Sequence, residues 1–331
     1  RHNVTFWAEY SEGNWTSTTQ YFTTDYTKPD ITPLNPVNST NLSGEENVTA
    51  SWDDDLTGVK VAGAVFENST FNHRQVLNYS FNFSNLQDGD YNFTYTALDY
   101  AGNTNKTPIK TSVDNKPPVL TSYSPASPQV FRGNFTINAT YRDNGTAVKT
   151  AQYRLANSSG IERTGSFNDT VNSSKYANGD YNLSYRLTDY EDNLREKNIS
   201  LTIDNADPDL GVLSPLNGSY VGPEFWVNAS INGTYSSVVE KQFNVSNSTF
   251  SETGDNFNAT LDTQQLSKGD YNITYTVSDG AGNEVSKRVN VTLDKTSPSV
   301  NLALPGDSTI QTANFTVNAT YNDGLSGVDT A

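Results

Sequence analysis

The strongest constraint in this sequence is a repeat. The segment Gly-Asp-Tyr-Asn begins at Gly89, again at Gly179 and again at Gly269. The copies are about ninety residues apart, which is the size of one small β-domain. Each copy opens a stretch in which polar and apolar residues alternate, and each stretch ends in a turn that contains aspartate. The chain is therefore predicted to be a string of one repeated module.

Other landmarks keep the same spacing and define the module boundaries. Asp114, Asp204 and Asp294 each precede a junction that contains proline. Both ends of the chain match only part of a module, and neither part has enough strands to close a sandwich. We therefore expect this chain to be a stretch of a longer protein. The predicted segments are 1–27 (the last strands of a partial module), 28–115, 116–205 and 206–295 (three complete modules), and 296–331 (the first strands of another partial module).

The apolar pattern predicts β-strands throughout the chain. Phe135, Ile137, Ala139 and Tyr141 alternate with polar residues, which is typical of an antiparallel strand buried on one face only. No window shows a sustained helical period, and Gly, Asn, Asp and Pro interrupt the pattern at short intervals. The predicted fold class is all-β, with tandem antiparallel β-sandwich modules of about 90 residues.

The repeated tyrosines resemble the tyrosine corner of immunoglobulin-like (Ig-like) sandwiches. In that corner, a tyrosine near the start of strand F hydrogen-bonds to backbone a few residues upstream. The tyrosines concerned here are Tyr91, Tyr181 and Tyr271. Together with the turn Asp279-Gly-Ala-Gly-Asn283, they make the whole chain resemble the tandem Ig-like repeats of bacterial and archaeal cell-surface proteins. The resemblance implies a module but no particular activity, because such repeats serve as spacers, lattice elements, filament subunits and adhesin stalks.

Composition excludes several classes of function. The net charge of −16 argues against nucleic-acid binding, which needs a basic surface. The absence of cysteine excludes disulfides and thiolate metal sites. No stretch approaches the roughly eighteen consecutive apolar residues of a membrane span. The only histidines are His2 and His73, neither at a repeated position, so we predict that the segment is not an enzyme.

Asparagine is unusually frequent in acceptor triplets for N-linked glycan. Roughly 28 of about 40 asparagines stand in Asn-x-Ser/Thr triplets. One interpretation is a secreted chain coated with glycan; the other is that polar strand faces produce such triplets by their two-residue period. The candidate acceptors are Asn3, Asn38, Asn47, Asn78, Asn92, Asn138, Asn168, Asn182, Asn198, Asn228, Asn244, Asn258, Asn272, Asn290 and Asn318.

Calcium is the candidate cofactor. Acidic residues recur in turns that an Ig-like topology gathers at one end of each module, beside the incoming linker, and oxygen ligands from several segments suit a hard cation. The favoured alternative is ordinary turn chemistry, and the third module has Asn232-Gly-Thr where the others have an acid. The candidate metal ligands are Asp114, Asp143, Asp189, Asp204, Asp207 and Asp279.

The leading functional prediction is a structural, N-glycosylated, extracellular repeat protein. It resembles archaeal surface-layer, sheath or filament proteins, whose modules provide a semi-rigid array and assemble with like subunits. Short, proline-bearing linkers such as Asp114-Asn-Lys-Pro-Pro118 favour an extended array, because they leave little slack between modules. The alternative is the stalk of a cell-surface adhesin whose binding domain lies outside this segment.

Overall fold

The computed structural model describes residues 1–328, which contain β-strands, two short 3-10 turns and no α-helix. No helix in this described part has the length and apolarity needed to cross a membrane. The N-terminal segment is an antiparallel hairpin of β1 (His2–Tyr10) and β2 (Asn14–Phe22). Residues 329–331, which end the predicted partial module 296–331, lie outside the described residues.

Three sets of eight strands follow, and they have the same order of long and short strands. The first set is β3 (Asp30–Asn35), β4 (Thr40–Leu42), β5 (Glu45–Asp53), β6 (Val59–Glu67), β7 (Asn72–Val76), β8 (Tyr79–Asn82), β9 (Gly89–Asp99) and β10 (Thr104–Val113), with a 3-10 turn at Phe83–Asn85.

The second set is β11 (Val119–Ser124), β12 (Gln129–Phe131), β13 (Asn134–Arg142), β14 (Val148–Asn157), β15 (Gly160–Gly165), β16 (Asp169–Asn172), β17 (Gly179–Asp189) and β18 (Leu194–Ile203), with a 3-10 turn at Ser173–Lys175. The third set is β19 (Asp209–Ser214), β20 (Ser219–Val221), β21 (Glu224–Asn232), β22 (Val238–Ser246), β23 (Ser251–Gly254), β24 (Asn258–Asp262), β25 (Gly269–Asp279) and β26 (Glu284–Leu293). A final antiparallel pair is β27 (Ser299–Leu304) and β28 (Asn318–Asn322).

Each set forms two sheets, one of three strands and one of five. In the first set the strand orders are β3-β5-β8 and β4-β10-β9-β6-β7, and the second and third sets repeat both orders. Pairing is antiparallel except where the short strands β4, β12 and β20 run parallel to β10, β18 and β26. This is an Ig-like sandwich, so the predicted all-β class and the tandem Ig-like architecture are confirmed.

Each module has its own core, which follows from the two-residue period of its strands. In β17 the side chains of Tyr181, Leu183, Tyr185 and Leu187 are all buried, and the polar residues between them mostly face outward. The buried apolar side chains form three separate clusters, one within each set of strands. The repeat in the sequence is therefore a repeat of independent cores.

The predicted tyrosine corners are present in all three modules. Tyr91, Tyr181 and Tyr271 are 3–4% exposed. Their hydroxyls donate to the backbone carbonyl oxygens of Gln87, Ala177 and Ser267, each four residues upstream, at 2.9–3.0 Å. The glycine two residues before each tyrosine has φ between +132° and +138°, a conformation that L side chains rarely adopt. The backbone therefore requires glycine at this position, which explains why Gly-Asp-Tyr recurs in each complete module.

Candidate functional site: the joints between modules

A joint is defined here as the last aspartate of one module together with the two loops of the next module that contact it. The first, second, third and fourth joints are centred on Asp25, Asp114, Asp204 and Asp294. At the last three, the backbone N–H of the aspartate closes the parallel strand pair of its own module, donating to the carbonyl oxygens of Leu42, Phe131 and Val221. The backbone thus fixes each aspartate to the preceding module.

The side chain of each joint aspartate contacts a loop of the next module. In the second module this loop connects β13 to β14. At the second joint, Oδ2 of Asp114 accepts from the backbone N–H of Thr146 at 2.8 Å and from its hydroxyl at 2.9 Å. The equivalent acceptor bonds are from Thr57 to Asp25 at 2.7 Å, from Ser236 to Asp204 at 2.5 Å, and from Ser326 to Asp294 at 3.0 Å. A hydroxyl residue thirty-two positions downstream is engaged every time.

An asparagine in the turn that follows the tyrosine-corner strand binds the backbone carbonyl of the same aspartate. At the third joint, the side-chain Nδ2 of Asn283 donates to the backbone carbonyl of Asp204 at 3.1 Å and to Oδ2 of Asp279 at 2.9 Å. Asn193 makes the matching pair of bonds to Asp114 and Asp189 at the second joint. These asparagines link the incoming linker to the turn that follows the tyrosine-corner strand.

Asn103 makes the same pair of bonds at the first joint, to Asp25 and Asp99. Three joints therefore share one arrangement of an aspartate, a hydroxyl residue and an asparagine. At the fourth joint, the described residues show Asp294 accepting from the backbone N–H of Ser326.

The residue after the joint aspartate is tied back to the preceding module. Asn115 donates through Nδ2 to the backbone carbonyls of Phe83 and Leu86 at 3.0 and 3.2 Å. Asn205 makes the equivalent bond to Ser173 at 3.2 Å. At the fourth joint Lys295 takes this place, and its Nζ donates to three backbone carbonyls, those of Thr263, Gln264 and Leu266. The side chains of two adjacent linker residues thus bind different modules. The aspartate side chain binds the next module, and the residue after it binds the preceding module.

A second contact crosses the joints at their periphery. The hydroxyl of Ser43 donates to Glu191 Oε2 at 3.4 Å at the second joint, and Arg132 Nη1 donates to the backbone carbonyl of Gly282 at 2.5 Å at the third. Ser43 and Arg132 each lie just before the central strand of a three-stranded sheet, β5 and β13. Their partners in the next module lie in the turn between β17 and β18 and in the turn between β25 and β26. A joint held at two separate points resists bending better than one held at a single point.

Hydrogen bonds and burial have opposite effects on the pKa values of the acidic groups at the joints. Hydrogen bonds to a carboxylate lower its pKa, and burial raises it. Bonds from Thr27 and Thr57 lower the pKa of Asp25. At Asp279, burial acts to raise the pKa, but the bonds from Asn283 and Ala281 outweigh it and the pKa is lowered. Burial raises the pKa of Glu191, and the nearby carboxylates of Glu46, Asp189 and Asp114 add to that rise.

The structure brings some of the predicted metal ligands together and separates others. Oxygen atoms of Asp114, Asp143 and Asp189 lie within 4.8 Å of one another at the second joint. Asp204 and Asp279 are linked at the third joint through Asn283, and they belong to no group of three such ligands among the described residues. Asp207 is exposed and belongs to no such group in this part of the chain.

An equivalent trio that the candidate ligands did not include is found at the first joint. It consists of Asp25, Asp54 and Asp99, again within 4.8 Å. Most carboxylate oxygens of both trios already accept hydrogen bonds from their turns, but Asp54 Oδ1 is buried and has no hydrogen-bond partner among residues 1–328. An all-oxygen set with three negative charges and one unpaired acceptor fits a hard divalent cation such as calcium.

The candidate glycan acceptors lie on outward strand faces and in turns. None of the fifteen is buried; twelve are exposed, and Asn228, Asn244 and Asn272 are half-buried. Several other triplets have a local structural role, because Asn68 and Asn247 accept hydrogen bonds from Thr70 and Thr249 within their own triplets. The accessible positions are compatible with glycosylation, which stays a prediction.

Comparison with protein families identifies the same kind of module. Residues 75–157 and 255–323, together just under half of the chain, match the model of the bacterial Ig-like domain (group 3). The matched segments include the joint residues Asp114 and Asp294. The other two joint residues, Asp25 and Asp204, lie outside the matched segments. No curated protein matches the sequence.

Several solved structures are similar to the chain at low identity. The tetra-tandem repeat of the extending region of a large adhesion protein is 17% identical, over 89% of this chain and 81% of that one, with a TM-score of 0.38. The three N-terminal domains of the bacteriophage RB49 outer capsid protein Hoc are 10% identical, over 82% and 99%, with a TM-score of 0.42. A Ca2+-stabilized adhesin of an Antarctic bacterium is 15% identical, over 88% and 81%, with a TM-score of 0.33.

Proposed function

We propose that this chain is a semi-rigid, non-enzymatic spacer: a stalk segment of a cell-surface protein that holds another part of the molecule away from the surface. The observation that supports this most is the repeated joint, in which one aspartate binds both of its neighbouring modules. Connected domains move relative to one another by default, unless their interface is extensive or specifically bonded. The same bonded arrangement at consecutive joints gives each module a fixed orientation to the next.

The acidic residues support a structural role over a catalytic one. The buried aspartates of the joints are occupied by backbone and side-chain donors of their own turns. His73 packs against the ring of Phe81, with 4.7 Å between ring centroids. A general base must instead be free to reach a substrate proton. The proposal is accordingly that the segment performs no chemistry of its own.

The stalk is preferred here to the other predicted function, an archaeal surface layer or filament. Lateral assembly through sheets needs long, accessible edge strands, but the edge strands of the complete modules have only three to six residues. The edge strand β15 also carries Glu162 and Arg163. The family match is to a bacterial domain and gives no support to an archaeal source. Glycosylation and an extracellular location remain part of the proposal, because the acceptor triplets are numerous and accessible.

Loosening one joint tests the stalk function directly. Because the chain has no cysteine, a pair of spin labels can be attached at cysteines replacing the exposed Glu162 and Glu252. We expect a narrow distance distribution between these labels, and a clearly broader one after Asp204→Ala, which removes the acceptor of Ser236. Asp207→Ala is the matched control, because Asp207 is exposed and three residues away. A broad distribution in the unmodified chain would contradict the proposal.

Calcium is proposed as an additional stabiliser of the first two joints. The two aspartate trios provide the ligand sets, and the third joint has none among the described residues. We expect calcium at 100 times its dissociation constant to stabilise the second joint by about 2.7 kcal/mol. Hydrogen exchange of the turn between β17 and β18, with calcium and with a chelator, measures this change.

Two variants separate this effect from general ionic stabilisation. Asp143→Asn removes one charge from the second trio and should abolish the calcium-dependent protection. Asp207→Asn removes one charge from an exposed site and should leave it unchanged. Equal calcium protection in both variants would show that the trio is not the binding site, and the hydrogen-bonded turns would then account for the acidic residues alone.

A further inference from the structure

The third module carries pairs of glycan acceptors directly opposite each other on neighbouring strands. Asn228 on β21 is paired with Asn258 on β24, and Asn272 on β25 is paired with Asn290 on β26. All four stand in acceptor triplets. Cβ atoms of directly opposite residues are about 4.5–5.5 Å apart, so two attached sugars would compete for the same space above the sheet. If these pairs are glycosylated, a local feature of the structure must favour one acceptor of each pair over the other.

An exposed tryptophan distinguishes the first pair. Trp226 lies two residues before Asn228 on β21, so both side chains project from the same face of the strand. Trp226 is 54% exposed, and its cross-strand partner is Thr260. The corresponding outward positions of the other two modules, opposite Ser80 and Thr170, are occupied by Asn47 and Thr136.

No other acceptor triplet has this arrangement. Only one other acceptor asparagine, Asn68, has an aromatic residue two positions before it, and that residue, Phe66, is 1% exposed and belongs to the core. A large apolar side chain left open on a polar sheet face indicates a contact surface. Here the nearest group able to cover it is a sugar on the adjacent acceptor.

We propose that Trp226 is a stacking platform for the first sugar of a glycan carried by Asn228, an inference that rests on the glycosylation proposed above. The bond forms between Nδ2 of Asn228 and the anomeric carbon of an activated, phosphate-linked sugar donor. The phosphate carrier leaves with the bonding electrons, and the amide nitrogen loses one proton. The C–H face of the sugar ring then lies on the indole, which is about 7 Å away along the strand, measured between Cα atoms.

The stacked arrangement favours Asn228 over Asn258. Asn228 shares a strand with Trp226, whereas Asn258 lies diagonally across from it on the edge strand β24. A sugar on Asn228 can lie back along its own strand over the indole, which removes apolar surface from water. The platform therefore selects one member of the opposed pair and holds its sugar against the sheet.

Radical footprinting of the full chain tests this proposal. The chain is produced in a host that glycosylates Asn-x-Ser/Thr triplets, and occupancy is read from glycopeptide masses. We expect glycan on Asn228 and several-fold slower oxidation of Trp226 than in the Asn228→Gln variant. Asn258→Gln is the matched control and should leave the oxidation of Trp226 unchanged. Trp52, which is 39% exposed in the first module, serves as an internal reference for radical dose.

The outcomes distinguish this inference from the glycosylation on which it rests. Glycan at other acceptors with Asn228 bare would overturn the platform alone. Glycan on Asn228 with no protection of Trp226 would do the same. A chain without any glycan would overturn both, whereas occupied Asn228 together with a protected Trp226 supports the platform.

Discussion

Tyr185→Ala is expected to lower the free energy of unfolding of the second module by about 3–5 kcal/mol, the usual cost of deleting a buried aromatic side chain. Tyr185 is fully buried at the centre of its core, and its hydroxyl donates to the backbone carbonyl of Pro125 at 3.0 Å. Tyr95 and Tyr275 make the same kind of bond to the carbonyls of Pro36 and Ser214. In the second module, this bond holds the chain at Pro125, where it passes from β11 in the three-stranded sheet to β12 in the five-stranded sheet.

A conservative variant separates the packing of this ring from its hydrogen bond. Tyr185→Phe keeps the ring but leaves the buried carbonyl of Pro125 without its donor, at a cost of about 1–3 kcal/mol. Hydrogen exchange of the β17 amides in the full chain reports the opening of this module alone. Tyr190→Ala is the control, because Tyr190 is 62% exposed. If Tyr185→Ala left the exchange of β17 unchanged, the assignment of one independent core to each module would be wrong.

The tyrosine corners could be predicted from the sequence because they are local. Each hydroxyl bonds to a carbonyl only four residues upstream, and a left-handed glycine marks the turn between them. The same three-residue segment recurs in every module, so one recognised corner predicted the others. Strand positions followed for the same reason: the two-residue apolar period is a property of adjacent residues and needs no knowledge of the sheet order.

The joints were only partly predictable, because their bonds connect residues far apart in the chain. The aspartates at the module ends were recognised as a recurring set, but their hydroxyl partners, such as Thr146 and Ser236, were not. A signal did exist, since the aspartate and the hydroxyl residue are thirty-two positions apart at every joint. The asparagine partners are 78 or 79 positions from the aspartate, a separation that only the folded sandwich makes meaningful.

The predicted metal ligands illustrate the same limit. The third module has Asn232-Gly-Thr in place of the acid of its first turn, and the structure has no acidic trio there among the described residues. The predicted ligands also included Asp207, which follows the joint by three residues but faces solvent. The direction of a side chain beside a proline-bearing linker depends on backbone geometry that residue type does not reveal.

Asn283→Asp is expected to destabilise the third joint by about 3–5 kcal/mol at neutral pH, the range seen when a buried charge is left uncompensated. Asn283 is fully buried, and its Nδ2 donates at 2.9 Å to Oδ2 of Asp279. Aspartate has the same shape but no donor, so two carboxylates would face each other, and the carbonyl of Asp204 would lose its partner as well. Hydrogen exchange of the β25 and β26 amides measures the loss.

The dependence on pH gives this variant a distinctive signature. In the native chain the pKa of Asp279 is lowered, so its contribution to stability is present above its unfolded value of about 3.9 and is lost as the pH falls through the folded value. In Asn283→Asp the repulsion raises one of the two pKa values, and protonation relieves it. The variant should therefore recover stability as the pH falls from 7 towards 5, a range in which the native chain shows little change from this group.

A matched substitution at the surface provides the control. Asn256 is exposed and only accepts a hydrogen bond from the backbone N–H of Asn258, which an aspartate accepts equally well. Asn256→Asp adds the same negative charge to the same module and should leave exchange at β25 and β26 unchanged at either pH. If both variants behaved alike, or if Asn283→Asp lost further stability on acidification, then the Asn283 amide would not be the group that binds the third module to the linker.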